Sequence, residues 1–188
     1  SYLKMDIYTR FQATAERRAE QTAVVYLGSR FSYRQLKDLA ERFAAALAEL
    51  GVEAGQKVVL YIPNSIQWVT AWLGIMKSGA LAVPITPIYT PHDLNYIIAD
   101  SGAETIVCAD TNFGYVQKVA DTAPLKQAVV TRMDDFLPPF KRLFGFVFDI
   151  VPKGKVQFGP RTWSLRNLLR RQRGRGGTAG GLRRRLLP

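Results

Sequence analysis

GVEAGQKVVLYIPNSIQWVTAWLGIMKSGALAVPITPIY, residues 51 to 89, sets two apolar runs, a capped helical stretch and a proline loop in tight succession. Lys57 to Ile62 (KVVLYI) is nearly continuous in apolar residues, as in a parallel strand covered on both faces. Pro63 ends it. Asn64 reads as an N-cap with Gln67 in the third position, and the helix through Trp68, Trp72, Ile75 and Met76 stops at Ser78-Gly79. Ala80 to Ile85 is the next strand. The stretch is therefore one βαβ crossover.

The same alternation extends in both directions. Upstream, residues 3 to 18 predict a helix with Ile7, Phe11 and Ala15 at helical spacing, followed by strands at Thr22 to Leu27 and Arg30 to Tyr33 about a Gly28-Ser29 turn. Ser32 with Gln35 forms a capping-box pattern. The helix after it carries Leu36, Leu39, Ala40, Phe43, Ala44, Leu47 and Leu50 as one apolar stripe and ends at a left-handed Gly51. Downstream, Thr90-Pro91-His92-Asp93 supplies a capping hydroxyl, a proline at the first helical position and an acid in the first turn. That helix closes near Gly102. Strand Glu104 to Cys108, a helix over Thr111 to Asp121 and strand Gln127 to Thr131 complete a βαβαβαβ pattern, hence an α/β fold with a mostly parallel sheet and flanking helices.

Composition narrows the function classes. The chain has 188 residues, 47% of them apolar, enough for a real core. Its formal charge of +11 is uneven: residues 161 to 188 hold nine arginines and no acid, so residues 1 to 160 are close to neutral. Cys108 is the single cysteine, which excludes an internal disulfide and favours a reducing compartment, the cytoplasm. The start SYLKMDIYTRFQATAERR lacks the apolar core of a signal peptide, and no stretch approaches the ~20 apolar residues of a membrane span.

Past Thr131 the pattern loosens into DDFLPPFKRLFGFVFDIVPKGKVQFGP. Its aromatic and basic residues from Phe136 to Phe158 suggest peripheral membrane contact, against packing onto a further part of the protein. From Leu165 the alphabet collapses to an Arg/Gly/Leu-rich tail. Ordering it costs about 1 to 2 kcal/mol per residue, while each leucine returns about 1.5 to 3 kcal/mol if fully buried. The expectation is a folded α/β domain over residues 1–164 and a disordered, or out-of-frame, tail over residues 165–188.

Individual residues offer little chemistry. GRGGTAGG, Gly174 to Gly181, has neither a strand before it nor a Lys-Ser or Lys-Thr closing it, so it reads as tail and not as a phosphate loop. His92, the only histidine, sits in the first turn of a helix and is expected at the surface. Trp68, Trp72 and Met76 read as a packed core face, and Cys108 as an inert thiol in a buried strand.

Three elements together resemble the acyl-adenylate-forming (AMP-binding) superfamily. Phe31-Ser32-Tyr33-Arg34-Gln35-Leu36 is similar to an early [LF]-[ST]-Y-x-x-L element. Gly51-Val52 with Gly55 and Val58 through Pro63-Asn64 is similar to G-V-x-x-G-D-x-V…P-N, with Gln56 in place of the usual Asp. Lys77-Ser78-Gly79-Ala80 through Val83-Pro84 is similar to K-x-G-A-x-x-V-P. Pro87 to Pro91, Leu94, Asp100 to Ala103, Thr131-Arg132-Met133 and Asp135 most resemble bacterial long-chain fatty-acid CoA ligases.

The resemblance implies a parent activity that uses ATP, Mg and CoA to convert a fatty acid to an acyl adenylate and then an acyl-CoA. It also implies that the family's phosphate loop, ribose-binding Asp, hinge and catalytic Lys fall outside this chain, a truncated N-terminal part inactive alone, with no catalytic residue, metal ligand or cofactor of its own. Thr86, Pro87 and Tyr89, in the loop after a parallel strand, are the candidate border of the CoA channel; a rigid turn aiming the next helix is the alternative. Two other readings stand beside this one. The chain is a noncatalytic Rossmann-like module whose basic tail binds acidic membrane or, less favoured, nucleic acid, or it is one half of a split enzyme completed by a second polypeptide.

Overall fold

A computed structural model describes residues 6–138 and 153–183 of the chain. Helix α1 (Ile7–Arg17) precedes a hairpin of β1 (Thr22–Tyr26) and β2 (Ser29–Ser32). The chain then alternates α2 (Tyr33–Glu49), β3 (Lys57–Tyr61), α3 (Ile66–Lys77), β4 (Leu81–Pro84), α4 (Pro91–Ser101) and β5 (Thr105–Ala109). Helix α5 (Phe113–Val119), β6 (Gln127–Thr131), β7 (Thr162–Ser164) and α6 (Leu165–Arg183) follow.

Five strands form one parallel sheet in the order β4-β3-β5-β6-β7. Alternate residues of β3 enter opposite cores, as a pleated strand requires. Val58 and Leu60 pack with Phe43, Leu47, Ala71 and Ile75 of α2 and α3. Val59 and Tyr61 pack with Leu94 and Ile98 of α4 and with Phe113, Val116 and Val119 of α5. A third cluster holds α1 and the hairpin against the outside of α2 and α3, through Tyr8, Phe31, Leu36, Ala40, Ile66 and Leu73. The predicted α/β architecture is observed.

Cap chemistry fixes most helix starts. Ser32 and Gln35 form the predicted capping box, Thr90 and Asp93 form a second with Pro91 in the first turn, and α4 ends on left-handed Gly102. Gly51 is likewise left-handed, with φ +78°. The hairpin turn is shifted by one residue from its predicted place, since Leu27 and Gly28 carry the positive φ angles.

Trp68 and Trp72 stack at 5.8 Å and, with Met76, pack partly buried against the cores, as the packed-face reading expects. Two expectations are corrected. Ser65, not Asn64, caps α3 by accepting from the Trp68 N–H, because this register buries Ile66 and Gln67. Most consequentially, residues from Leu165 to Arg183 form a helix instead of a disordered tail. Leu165, Leu168 and Leu169 fall on one face and enter the core beside α2 and β6. Their burial is cooperative with a sheet already in place, which a residue-by-residue entropy count of the tail omits.

Candidate functional site

In an open parallel sheet, ligands gather outside the carboxyl ends of the strands, where the strand order reverses. Here the reversal lies at β3, whose sequence successor β4 pairs on one side and whose later neighbour β5 pairs on the other. The loops leaving β3, β4, β5 and β6 meet along this edge. They supply Thr86, Pro87 and Tyr89, the predicted site residues.

Those three residues form a tight turn in which the Tyr89 N–H donates to the Thr86 carbonyl at 3.3 Å. Two side chains from other loops pin it. The Tyr61 hydroxyl, at the end of β3, donates to the Tyr89 carbonyl at 2.5 Å, and the Asn112 amide donates to the Pro87 carbonyl at 2.9 Å. Burial pushes the Tyr61 hydroxyl above the ordinary tyrosine range, against a smaller opposing pull from Asn112, so the group stays a donor. Ile88 projects from the turn 82% exposed, and Tyr89 is exposed beside it. The loop is a fixed turn with half-buried Thr86 and Pro87 and with Ile88 and Tyr89 exposed.

Two neighbouring loops are tied in the same manner. After β5, the buried Asp110 accepts from the Gly154 N–H at 2.9 Å and from the Thr111 N–H at 3.0 Å. Gly154 lies so close that an added Cβ would collide with the Asp110 carbonyl. After β6, Asp135 accepts from the Arg132 N–H at 2.8 Å and the Thr131 hydroxyl at 3.2 Å. Burial raises the Asp135 carboxyl above the usual carboxylate range, and these two bonds pull less strongly the other way. Gln67, fully buried on α3, donates to the Arg132 and Met133 carbonyls at 2.8 and 3.1 Å.

Tyr61, Asn112, Gln67, Asp110 and Gly154 are thus structural members of this edge that sequence reading missed. A tyrosine ending an apolar run was the one local signal, since its hydroxyl needs a partner when buried. The other predicted residues behave plainly. His92 is exposed, and Cys108 is fully buried, with desolvation holding its thiol above the ordinary cysteine range. Gly174 to Gly181 lies inside α6, so it is not a loop between strand and helix. In the Phe136 to Phe158 segment, Phe136 packs against the cores and Phe158 is 59% exposed. Residues 139–152 of that segment lie outside the described residues.

Among the described residues, the loops along this edge bring together no nucleophile and base. Among the described residues no three His, Cys, Asp or Glu side chains stand together as a metal site, and no helix is long and apolar enough to cross a membrane.

Residues 11–144 match the family model described as AMP-binding enzyme. The chain is 36% identical over 145 residues to a long-chain-fatty-acid CoA ligase of Escherichia coli O6:H1, covering 76% of this chain and 25% of the relative. It is 34% identical over 170 residues to the enzyme of that name from Yersinia pestis, covering 87% and 30%. The chain therefore spans about a quarter to a third of the length of these relatives. Among solved structures, it superposes on a long-chain-fatty-acid-CoA ligase from Archaeoglobus fulgidus with TM-score 0.63 and 25% identity, over 68% of this chain and 27% of that one. An anthranilate CoA ligase in complex with anthranoyl-AMP shares the fold with TM-score 0.72 at 22% identity, over 89% and 28%.

Proposed function

The chain belongs to the AMP-binding enzyme family, and from that premise we propose that it forms the N-terminal α/β part of an ATP-dependent long-chain fatty-acid CoA ligase. Its role there is positional. The observation that carries this reading is the Thr86 to Tyr89 turn, held at the carboxyl edge by Tyr61 and Asn112 with Ile88 and Tyr89 exposed. Thr86, Pro87 and Tyr89 border the path of the CoA thiol arm, and a turn already fixed in the free protein spares the ordering cost that a loose loop would add to binding.

ATP, Mg and CoA are the cofactor and substrates of the complete reaction, and magnesium-bound phosphates supply its electrophile. Phosphoryl chemistry needs a cradle of N–H groups and cations around the developing charge. The residues described do not fit such a cradle, and no chemical step is assigned to them. The 188-residue chain alone therefore forms no acyl adenylate. Pyrophosphate exchange with ATP and palmitate tests this; turnover by the purified chain would overturn it. In the full-length ligase, Tyr89→Ala raises KM for CoA while leaving adenylate formation unchanged. An equal loss in both steps would instead make the turn a purely structural element.

The same reading places the protein in the cytoplasm, touching membrane where its fatty-acid substrate resides. Support is limited to exposed Phe158 beside exposed Lys153 and Lys155. Flotation of the chain with anionic vesicles is the expected result, and equal recovery without vesicles removes the claim.

A further inference from the structure

At the opposite, amino edge of the sheet the molecule holds an apolar groove that none of the foregoing uses. It opens between α5 and the segment leading into β7. Gly154 is tied to Asp110, Val156 packs against the core beneath α5, and the chain then passes through Gly159 and Pro160 to enter the sheet at Thr162. Phe113, Val116 and Ala120 form one wall, Leu125 and Ala128 the floor, in a space of about 250 Å³. That volume falls just below the roughly 300 Å³ at which drug-sized ligand sites begin, so it suits only a small ligand.

The rim differs in kind from the walls. Two cations stand there, Lys126 and Arg161. Lys126 is neutralised by Glu104 at 2.8 Å. Arg161 is exposed, and its guanidinium has no acidic partner among the described residues; only its carbonyl is engaged, accepting from the Ala128 N–H. An apolar trough ending in one uncommitted guanidinium complements a ligand with an apolar tail and one planar anionic head. A phosphate would find only a single cation and apolar walls.

We propose that this groove binds a short amphipathic carboxylate, its chain lying between α5 and the floor and its carboxylate on Arg161. The site lies at the sheet edge away from the Thr86 to Tyr89 turn, so it stands or falls independently of the ligase reading.

Titration of the 188-residue chain with octanoate, followed by backbone amide NMR, tests it. Saturable binding is expected, with shifts concentrated in residues 113–128 and 157–162. Loss of one charge-assisted bond predicts about tenfold weaker binding for Arg161→Gln, and for octanol in place of octanoate. Ala120→Trp, which fills the groove, abolishes binding. Octanol binding as tightly as octanoate, Arg161→Gln binding unchanged, or shifts confined to other regions would each overturn the proposal. The octanol and Arg161→Gln comparisons decide it even if Ala120→Trp fails to fold.

Discussion

The two edges of the parallel sheet are built differently. At the carboxyl edge, buried and half-buried side chains reach across the fold to hold backbone carbonyls and N–H groups: Tyr61 and Asn112 on the β4 loop, Gln67 on the β6 loop, Asp110 on Gly154. At the amino edge one such tie is present, Gln127 donating to the Leu50 carbonyl at 3.1 Å, and local glycine turns make the reversals into β3, β4 and β5. Gly51, Gly55, Gly79 and Gly102 all have positive φ, and an open groove lies beside β6. Long-range polar ties are more numerous at the carboxyl edge and hold its loops, while local turns serve for most reversals at the amino edge.

Substitutions can break that contrast. Gly154→Ala at the carboxyl edge sets a Cβ against the Asp110 backbone and destabilises by about 2 to 3 kcal/mol, read as a lower urea midpoint. Tyr61→Phe leaves the Tyr89 carbonyl without its donor, a loss of about 1.5 kcal/mol. Its sharper signature is local, since amide exchange accelerates at residues 86–90 and not in the glycine turns. Uniform acceleration would mean that the tie holds the whole fold and not the turn. Gly102→Ala at the amino edge meets no neighbouring atom, so only its φ of +67° matters, at about 1 kcal/mol.

The smallest effect is a pH dependence. Burial raises the folded-state pKa of Asp135 above its unfolded value of about 4. The protonated folded form is thereby favoured. This contribution is fully present below the unfolded value and is lost as pH rises through the folded one. Asp135→Asn, whose amide oxygen can still accept from Arg132 and Thr131, should flatten that slope in urea unfolding between pH 4 and 7. An unchanged slope would assign the dependence to other groups.

Legibility from sequence followed the range of the interactions. Capping boxes at Ser32/Gln35 and Thr90/Asp93 span three residues, and strand β3 announces itself as a continuous apolar run, so both were readable. The position of Thr86, Pro87 and Tyr89 after a parallel strand was readable for the same reason. Their ties were not: Tyr61 and Asn112 lie 28 and 25 residues from the carbonyls they hold. At Asn64-Ser65 two adjacent capping residues competed, and burial of Gln67 against a turn 65 residues away decided between them. Helix α6 escaped because a glycine-rich, arginine-rich stretch carries only Leu165, Leu168 and Leu169, all near its start, to mark a buried face. Those leucines acquire meaning only beside the surface that α2 and β6 present.

The strand order β4-β3-β5-β6-β7 also bears on how the molecule is made. After the first βαβ unit, every later strand pairs with the one immediately before it in the parallel sheet except β5, which takes the free side of β3. A chain emerging from the ribosome thus always finds a finished edge waiting for its next strand. No strand has to be inserted between two already paired, and assembly can keep pace with synthesis from the amino terminus onward.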